Sequence, residues 1–315
     1  MSKNEITQKN YEFPVEQAKQ IEAKRKKHRF DRSDGRYIKS LESLTKFMPF
    51  IMRTRNDANN LFQDSVDLKE IENFIRKKRA EGLEGFNAMY LLVAGYVRTV
   101  SQKPGINRFV SGCRIFARKN IEVCMEVKKN LKLDAPATMV KFYFESDFTV
   151  NQVYEEMHSK ITAYQNEPEE ENNAFDKVAD IFCSMPRWFL KWVIHILYRL
   201  DYNGHIPKSL LAVSPFHCSM VLSSMGSLGI PPVYHHLYNF GNCPMLLTFS
   251  TNRHDYIPNR EGEIEKKHFL DFKFTLDERI CDGQYYAAAI HDLKMYLKNP
   301  ELLEVPPEKI RLDLD

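Results

Sequence analysis

The C-terminal stretch FKFTLDERICDGQYYAAAIHDLKMYLKNPELL, residues 272–303, contains the clearest change of hydrophobic period in the chain. Between Leu270 and Leu276 every second residue is apolar, which is typical of a strand with one buried face. If the strand continues past Leu276, Glu278 is expected on the apolar face, where a carboxylate without a partner is costly. A helix is predicted after Asp282-Gly283, because apolar residues then recur at helical spacing: Tyr286, Ala289, Ile290, Leu293, Tyr296 and Leu297.

Upstream of this stretch the sequence predicts further strands and helices. Helices are predicted after Asp67, over the apolar residues 86–101, and after Thr149, where Thr149-x-x-Gln152 spells a capping box. The predicted strands are 113–117, 121–127, 139–144, 245–249 and a strand from 264 onward, with the first two forming a hairpin. The pattern therefore indicates an α/β domain in which helices cover a sheet.

Composition excludes several classes of function. The chain has 315 residues and a formal net charge of +3, so no strong field favours nucleic acid as a partner. Its six cysteines have neither C-x-x-C nor zinc-site spacing, which favours reduced thiols in the cytoplasm and no metal. Phosphate-cradling and G-x-S-x-G motifs are absent from the sequence, so nucleotide hydrolysis and esterase chemistry are not expected.

Residues 275–283, TLDERICDG, resemble the closing motif of the dihydrolipoamide acyltransferase catalytic domain, the core of the 2-oxo acid dehydrogenase complexes. That motif reads Ser-Phe-Asp-His-Arg-x-x-Asp-Gly, so Glu278 stands where the family has its catalytic histidine. Two further stretches are similar to the family: SSMGSLGI at 223–230, and Pro104-Gly105-Ile106-Asn107. The resemblance covers roughly residues 36–303, with a helical insertion at about 165–205; residues 1–35 are expected to form a polar, basic arm and 304–315 a tail.

This resemblance implies a fold like that of chloramphenicol acetyltransferase, with a mixed sheet covered by helices. It also implies a homotrimer with each active site between two subunits, and coenzyme A as co-substrate for a small acyl acceptor. The family's histidine removes a thiol proton, a role that falls here on Glu278, while Asp282 holds the geometry. The hydroxyl that stabilises the oxyanion falls on Ser224 or Ser227. No lipoyl attachment, lipoyl domain or subunit-binding linker is expected in this chain.

Three hypotheses about function remain open from the sequence. In the first, Glu278 or one of the adjacent pair His235 and His236 acts as the base of an acyltransferase. Glutamate is a weaker base than histidine by about two pKa units, which adds roughly 3 kcal/mol to thiol deprotonation, about a hundredfold in rate. Burial of Glu278 would reduce this cost, whereas Arg279 would increase it.

The second hypothesis is a catalytically silent trimer that binds or regulates, and it is motivated by the missing histidine. The third makes the Trp-rich segment 188–200 a membrane-surface helix, with an acyl chain as substrate, because its apolar surface is interrupted by Lys191, His195 and Arg199 at intervals of four. Packing of that helix against the domain or a neighbouring subunit is the alternative.

Overall fold

The computed structural model describes residues 12–129, 137–166, 174–259 and 261–313. The described strands are β1 (Glu12–Pro14), β2 (Gly35–Tyr37), β3 (Asn59–Asp67), β4 (Arg108–Ser111), β5 (Arg114–Arg118), β6 (Ile121–Lys128), β7 (Ala137–Phe144), β8 (Met220–Ser224), β9 (Met245–Pro258), β10 (Ile264–Asp277) and β11 (Lys309–Arg311). The described α-helices are α1 (Val15–Lys24), α2 (Ser43–Ile51), α3 (Lys69–Ala80), α4 (Ala88–Gln102), α5 (Val150–Asn166), α6 (Ala174–Cys183), α7 (Arg187–Tyr202), α8 (Lys208–Val213) and α9 (Gly283–Lys298).

A mixed six-stranded sheet forms the centre of the protein, in the order β3-β10-β9-β8-β6-β7. Strand β8 runs parallel to both of its neighbours, β6 and β9, whereas β3, β10 and β9 are antiparallel. The predicted alternation in β10 is confirmed, since Leu270, Phe272, Phe274 and Leu276 are all buried in the main core with residues of α3, α4, α5 and α9. The protein is therefore the α/β sheet-and-helix domain that the sequence predicts.

Local signals for helix starts are also confirmed. Thr149 and Gln152 form the reciprocal capping box: the Thr149 backbone N–H donates to Gln152 Oε1 at 2.8 Å, and the Gln152 N–H donates to Thr149 Oγ1 at 3.4 Å. At the start of α3, the Asp67 carboxylate accepts a hydrogen bond from the Lys69 N–H at 2.9 Å. These contacts involve only neighbouring residues, so the sequence is sufficient to predict them.

The predicted hairpin of residues 113–117 and 121–127 is wrong, although both strands exist. Strand β5 pairs with β2 and β4 in a separate three-stranded sheet, while β6 pairs with β7 and β8 in the large sheet. Alternation shows that a segment is a strand but carries no information about its partner. Each strand instead pairs with its other neighbour along the chain, β5 with β4 and β6 with β7, and with one strand farther away.

The predicted arm and tail, where the structure describes them, pair with each other. Strands β1 and β11 are antiparallel, and Ala18 of α1 packs with Ile310 and Leu312. Arg108 joins this unit to the domain through two hydrogen bonds to Asp313, at 2.6 and 2.7 Å. Residues 1–11 of the arm, the acidic residues 167–173 of the insertion and residues 314–315 lie outside the described part.

Candidate functional site

Glu278 lies in the turn between β10 and α9, and its side chain is exposed. The expectation that Glu278 continues the apolar face is therefore wrong. Residues 278–280 form a turn directly after Asp277, so the alternation of the strand ends there. The Glu278 N–H donates to the Ala58 carbonyl at 2.9 Å, which holds the turn against the chain that leads into β3. Every other residue from Phe274 to Cys281 is buried, so this turn displays one carboxylate on an otherwise buried stretch.

The buried carboxylate of this region is that of Asp277, which is bound by two arginines. Arg279 donates from Nε and Nη2 to the two carboxylate oxygens at 2.8 and 2.7 Å, and Arg55 donates from Nε to Oδ2 at 3.3 Å. Both arginines are buried, and burial lowers the pKa of Arg55 while the charge of Asp277 opposes that effect. Arg279, which is adjacent to Glu278 in the sequence, thus forms its ion pair with Asp277.

This Arg55–Asp277–Arg279 triad joins three separate segments under the Glu278 turn. Arg55 donates from Nη1 to the Tyr238 carbonyl at 2.7 Å, and its own N–H donates to Asn239 Oδ1 at 3.0 Å. Arg279 reaches the Met52 carbonyl at 3.2 Å, at the end of α2. Sequence reasoning missed the triad, because Asp277 belongs to the polar side of a strand that is buried on both sides at this end.

Asp282 is the N-cap residue of α9. It is exposed and caps α9, where its carboxylate accepts a hydrogen bond from the Tyr285 N–H at 2.7 Å. The Tyr286 hydroxyl donates to the Asp277 carbonyl at 2.9 Å, so the helix is also attached to the end of β10. Burial raises the pKa of Cys281 to about 12, which makes this neighbouring thiol a poor nucleophile near neutral pH.

The two candidate serines lie together, but far from Glu278 in the same chain. Ser224 is the last residue of β8, and Ser227 donates its hydroxyl to the Ser224 carbonyl at 3.3 Å. Ser224 is aligned with Phe249 of β9, which is aligned in turn with Phe272 of β10. Glu278 is six residues beyond Phe272, which corresponds to roughly 20 Å along a strand. A single subunit therefore does not unite the candidate base with either hydroxyl.

His235 and His236 belong to an extended surface segment, residues 230–239, that lies against β9 and β10. Thr248 donates its hydroxyl to the Val233 carbonyl at 2.6 Å, and the Lys273 ammonium lies 4.8 Å from the centre of the Tyr234 ring. Both histidines are exposed, and the segment ends at Asn239, beside Arg55. The pair is thus on the same surface segment that contacts the triad.

Exposed apolar side chains lie on both segments that contact the triad. Helix α2 exposes Leu44, Phe47, Phe50 and Ile51, and the segment 230–239 exposes Val233, Tyr234 and Tyr238. We call these residues the apolar rim. Both parts of the rim connect to the triad, through Met52 and through Tyr238 respectively. Several exposed apolar side chains near one site are typical of a surface that contacts a partner.

A second polar cluster places Ser214, His217 and Asp201 in a row. Ser214 Oγ lies 2.8 Å from His217 Nδ1, and His217 Nε2 lies 3.4 Å from Asp201 Oδ1. All three are buried, and Asp201 also binds Arg32 at 2.9 Å. Because the serine is enclosed and the aspartate is shared with an arginine, the cluster fastens α7 to the domain and does not present a nucleophile.

Among the described residues there is no group of three or more histidine, cysteine, aspartate or glutamate side chains that could hold a metal ion. Within the same ranges no helix combines the length and the apolar composition needed to cross a bilayer.

Comparison with known structures confirms the chloramphenicol acetyltransferase-like fold. A probable dihydrolipoamide acetyltransferase from Listeria monocytogenes 4b F2365 superposes with a TM-score of 0.53 at 10% sequence identity, covering 82% of this chain and 93% of that chain. A chloramphenicol acetyltransferase superposes with a TM-score of 0.50 at 14% identity, covering 84% of this chain and 100% of that one. No protein-family model and no curated protein matches the sequence. The likeness is one of fold.

Proposed function

We propose that this protein is a coenzyme A-dependent acyltransferase that works as a homotrimer. Glu278 of one subunit faces the serine turn at 224–227 of its neighbour. The exposed position of Glu278 on a buried turn carries the proposal, because a side chain displayed in this way is available to a partner surface. The apolar rim beside it and the roughly 20 Å along the strands between Glu278 and Ser224 in one chain support a site completed by a second subunit.

In this mechanism Glu278 accepts the proton of the attacking thiol, hydroxyl or amine. The nucleophile forms a bond to the acyl carbon of the thioester, and the carbonyl oxygen becomes an oxyanion that accepts a hydrogen bond from Ser224 or Ser227. When the intermediate collapses, the carbon–sulfur bond breaks, and the coenzyme A thiolate takes the proton back from Glu278, which restores the carboxylate. Asp282 and the buried triad position the turn that carries Glu278.

Acyl-coenzyme A turnover by variants tests the choice of base. Glu278→Gln should lower turnover by about 100-fold or more, the usual contribution of a general base. His236→Ala tests the alternative base, and Glu261→Gln, at an exposed carboxylate in the β9–β10 turn, serves as a matched control. Full activity in both the Glu278 and the His236 variants would remove this mechanism.

Subunit mixing tests the position of the site. Glu278→Gln and the double variant Ser224→Ala/Ser227→Ala should each be inactive alone. If the two halves of a site come from different subunits, trimers reassembled from an equal mixture should recover roughly a quarter of the wild-type activity. Trimers that form but recover no activity would place each site within one subunit and would contradict the proposal.

A catalytically silent trimer is the second candidate, and the weaker basicity of a carboxylate at residue 278 favours it. Glu278→His separates the two functions. A large gain in acyl transfer in the histidine variant indicates a site that has lost its catalytic base and is silent in the wild type. A loss indicates that the carboxylate itself is the working group.

A further inference from the structure

The helices α6 and α7 meet at a turn whose surroundings are strongly apolar. Trp188 and Trp192 are 75% and 56% exposed, and Ile181 of α6 is 58% exposed. Phe189 lies between the two indoles, with ring centroids 5.7 Å from each. We call these four residues the aromatic tip. Large aromatic side chains are seldom exposed together unless they contact a partner, so the tip is a candidate interaction surface.

The opposite end of α7 is fixed to the domain. Asp201 is the only buried residue of α7; it accepts a hydrogen bond from Arg32 at 2.9 Å, and its carbonyl accepts one from Ser111 at 2.9 Å. Gly112 packs so closely on this end that an added Cβ would lie 2.5 Å from the Tyr202 carbonyl oxygen. Trp188 is 13 residues from Asp201, or about 20 Å along a helix. The tip therefore lies at the opposite end of α7 from this attachment to the domain.

The exposed side of α7 is also basic. Arg187, Lys191, His195 and Arg199 are all exposed, and the only acidic residue of the helix is Asp201, which is buried against Arg32. A surface of tryptophan and basic side chains suits the boundary of an anionic bilayer, where indoles lie at headgroup depth and cations bind lipid phosphates and carboxylates. Charge and aromatic composition thus point to the same partner.

We propose that the aromatic tip inserts into the interfacial layer of an anionic lipid bilayer, with the basic residues of α7 against the headgroups. The helix is too short to cross the bilayer, and it lies at the surface. This proposal is independent of the acyltransferase chemistry. It brings the protein to a membrane without assigning a role to lipid in the reaction.

Intrinsic fluorescence gives a direct test, because Trp188 and Trp192 are the only tryptophans among the 315 residues. Vesicles of phosphatidylcholine with about one-third phosphatidylserine should shift the emission to shorter wavelength and carry the protein upward in flotation. Pure phosphatidylcholine vesicles, or high salt, should weaken both effects. The absence of both the emission shift and the flotation with anionic vesicles would overturn the proposal.

Variants locate the binding surface. Trp188→Ser/Trp192→Ser should abolish flotation and leave acyl transfer unchanged, which separates this proposal from the catalytic one. Tyr256→Ser/Ile264→Ser is a matched control, since those side chains are 71% and 73% exposed on the β9–β10 hairpin. Flotation of the tryptophan variant at the wild-type level would refute the assignment. If the wild type does not float and the tryptophan variant differs from it in sedimentation coefficient, the tip is instead a contact between copies of the chain.

Discussion

Replacing Asp277 by asparagine removes the charge that holds two buried arginines. The carboxylate is fully buried and receives hydrogen bonds from Arg55 and Arg279, both only 4% exposed at their side chains. Asparagine has nearly the same shape, so the change leaves two cations in the interior without an anion. Breaking a buried pair in this way costs about 3–5 kcal/mol, a large fraction of the roughly 5–15 kcal/mol that stabilises a typical domain.

Asp271→Asn, six residues earlier in the same strand, is the matched control. Asp271 accepts hydrogen bonds from Nε and Nη2 of Arg253, at 2.8 and 2.9 Å, so its contacts are like those between Asp277 and Arg279. Arg253 is 38% exposed, however, and solvent screens such a pair. We expect a loss of about 1 kcal/mol or less for this variant.

Urea denaturation at one fixed protein concentration measures both losses, since the stability of any self-associating protein depends on its concentration. The free energy of unfolding of Asp277→Asn should fall several-fold further than that of Asp271→Asn, with unchanged dependence on urea. Equal losses in the two variants would refute the reasoning that burial determines the strength of these pairs. A small loss for Asp277→Asn would also remove the triad as the support of the Glu278 turn.

Three other substitutions have defined outcomes. Burial would raise the pKa of Asp34, but hydrogen bonds from Arg32 and Asn242 and the charges of Arg32 and Arg118 outweigh it and lower the pKa from 3.8 to about 2. This shift stabilises the folded state by about 2 kcal/mol, and the stabilisation is complete above pH 4 and is lost as the pH falls toward 2. The free energy of unfolding of Asp34→Asn should therefore lack that loss when it is measured over the same pH range. Gly112→Ala should cost roughly 2–4 kcal/mol in thermal unfolding, because its φ is 55° and the new Cβ meets Tyr202. Gly229→Ala, with φ of 71° but open space around it, should cost only about 1 kcal/mol, and an equal loss at both glycines would contradict the role of the clash.

The local structure around the site could be predicted from the sequence. The alternation of β10, the start of α9 after Asp282 and the capping box at Thr149 depend on side-chain period and on contacts within about four residues, which the sequence contains directly. The choice of Glu278 as the candidate base also follows from the sequence, through the resemblance of the motif that surrounds it. Its chemical role stays a prediction.

Tertiary structure alone decided the partners and the surroundings. The burial of Asp277 and the exposure of Glu278 depend on which distant segments pack at the end of β10. The separation of β5 from β6 depends on which strands pair in each sheet. Arg55 is 222 residues from Asp277 in the chain, so no local pattern relates them. The same holds for Ser224, whose distance from Glu278 follows from the strand register. Secondary structure follows from short-range periodicity, whereas the electrostatics and geometry of a site result from contacts that exist only after the whole chain has folded.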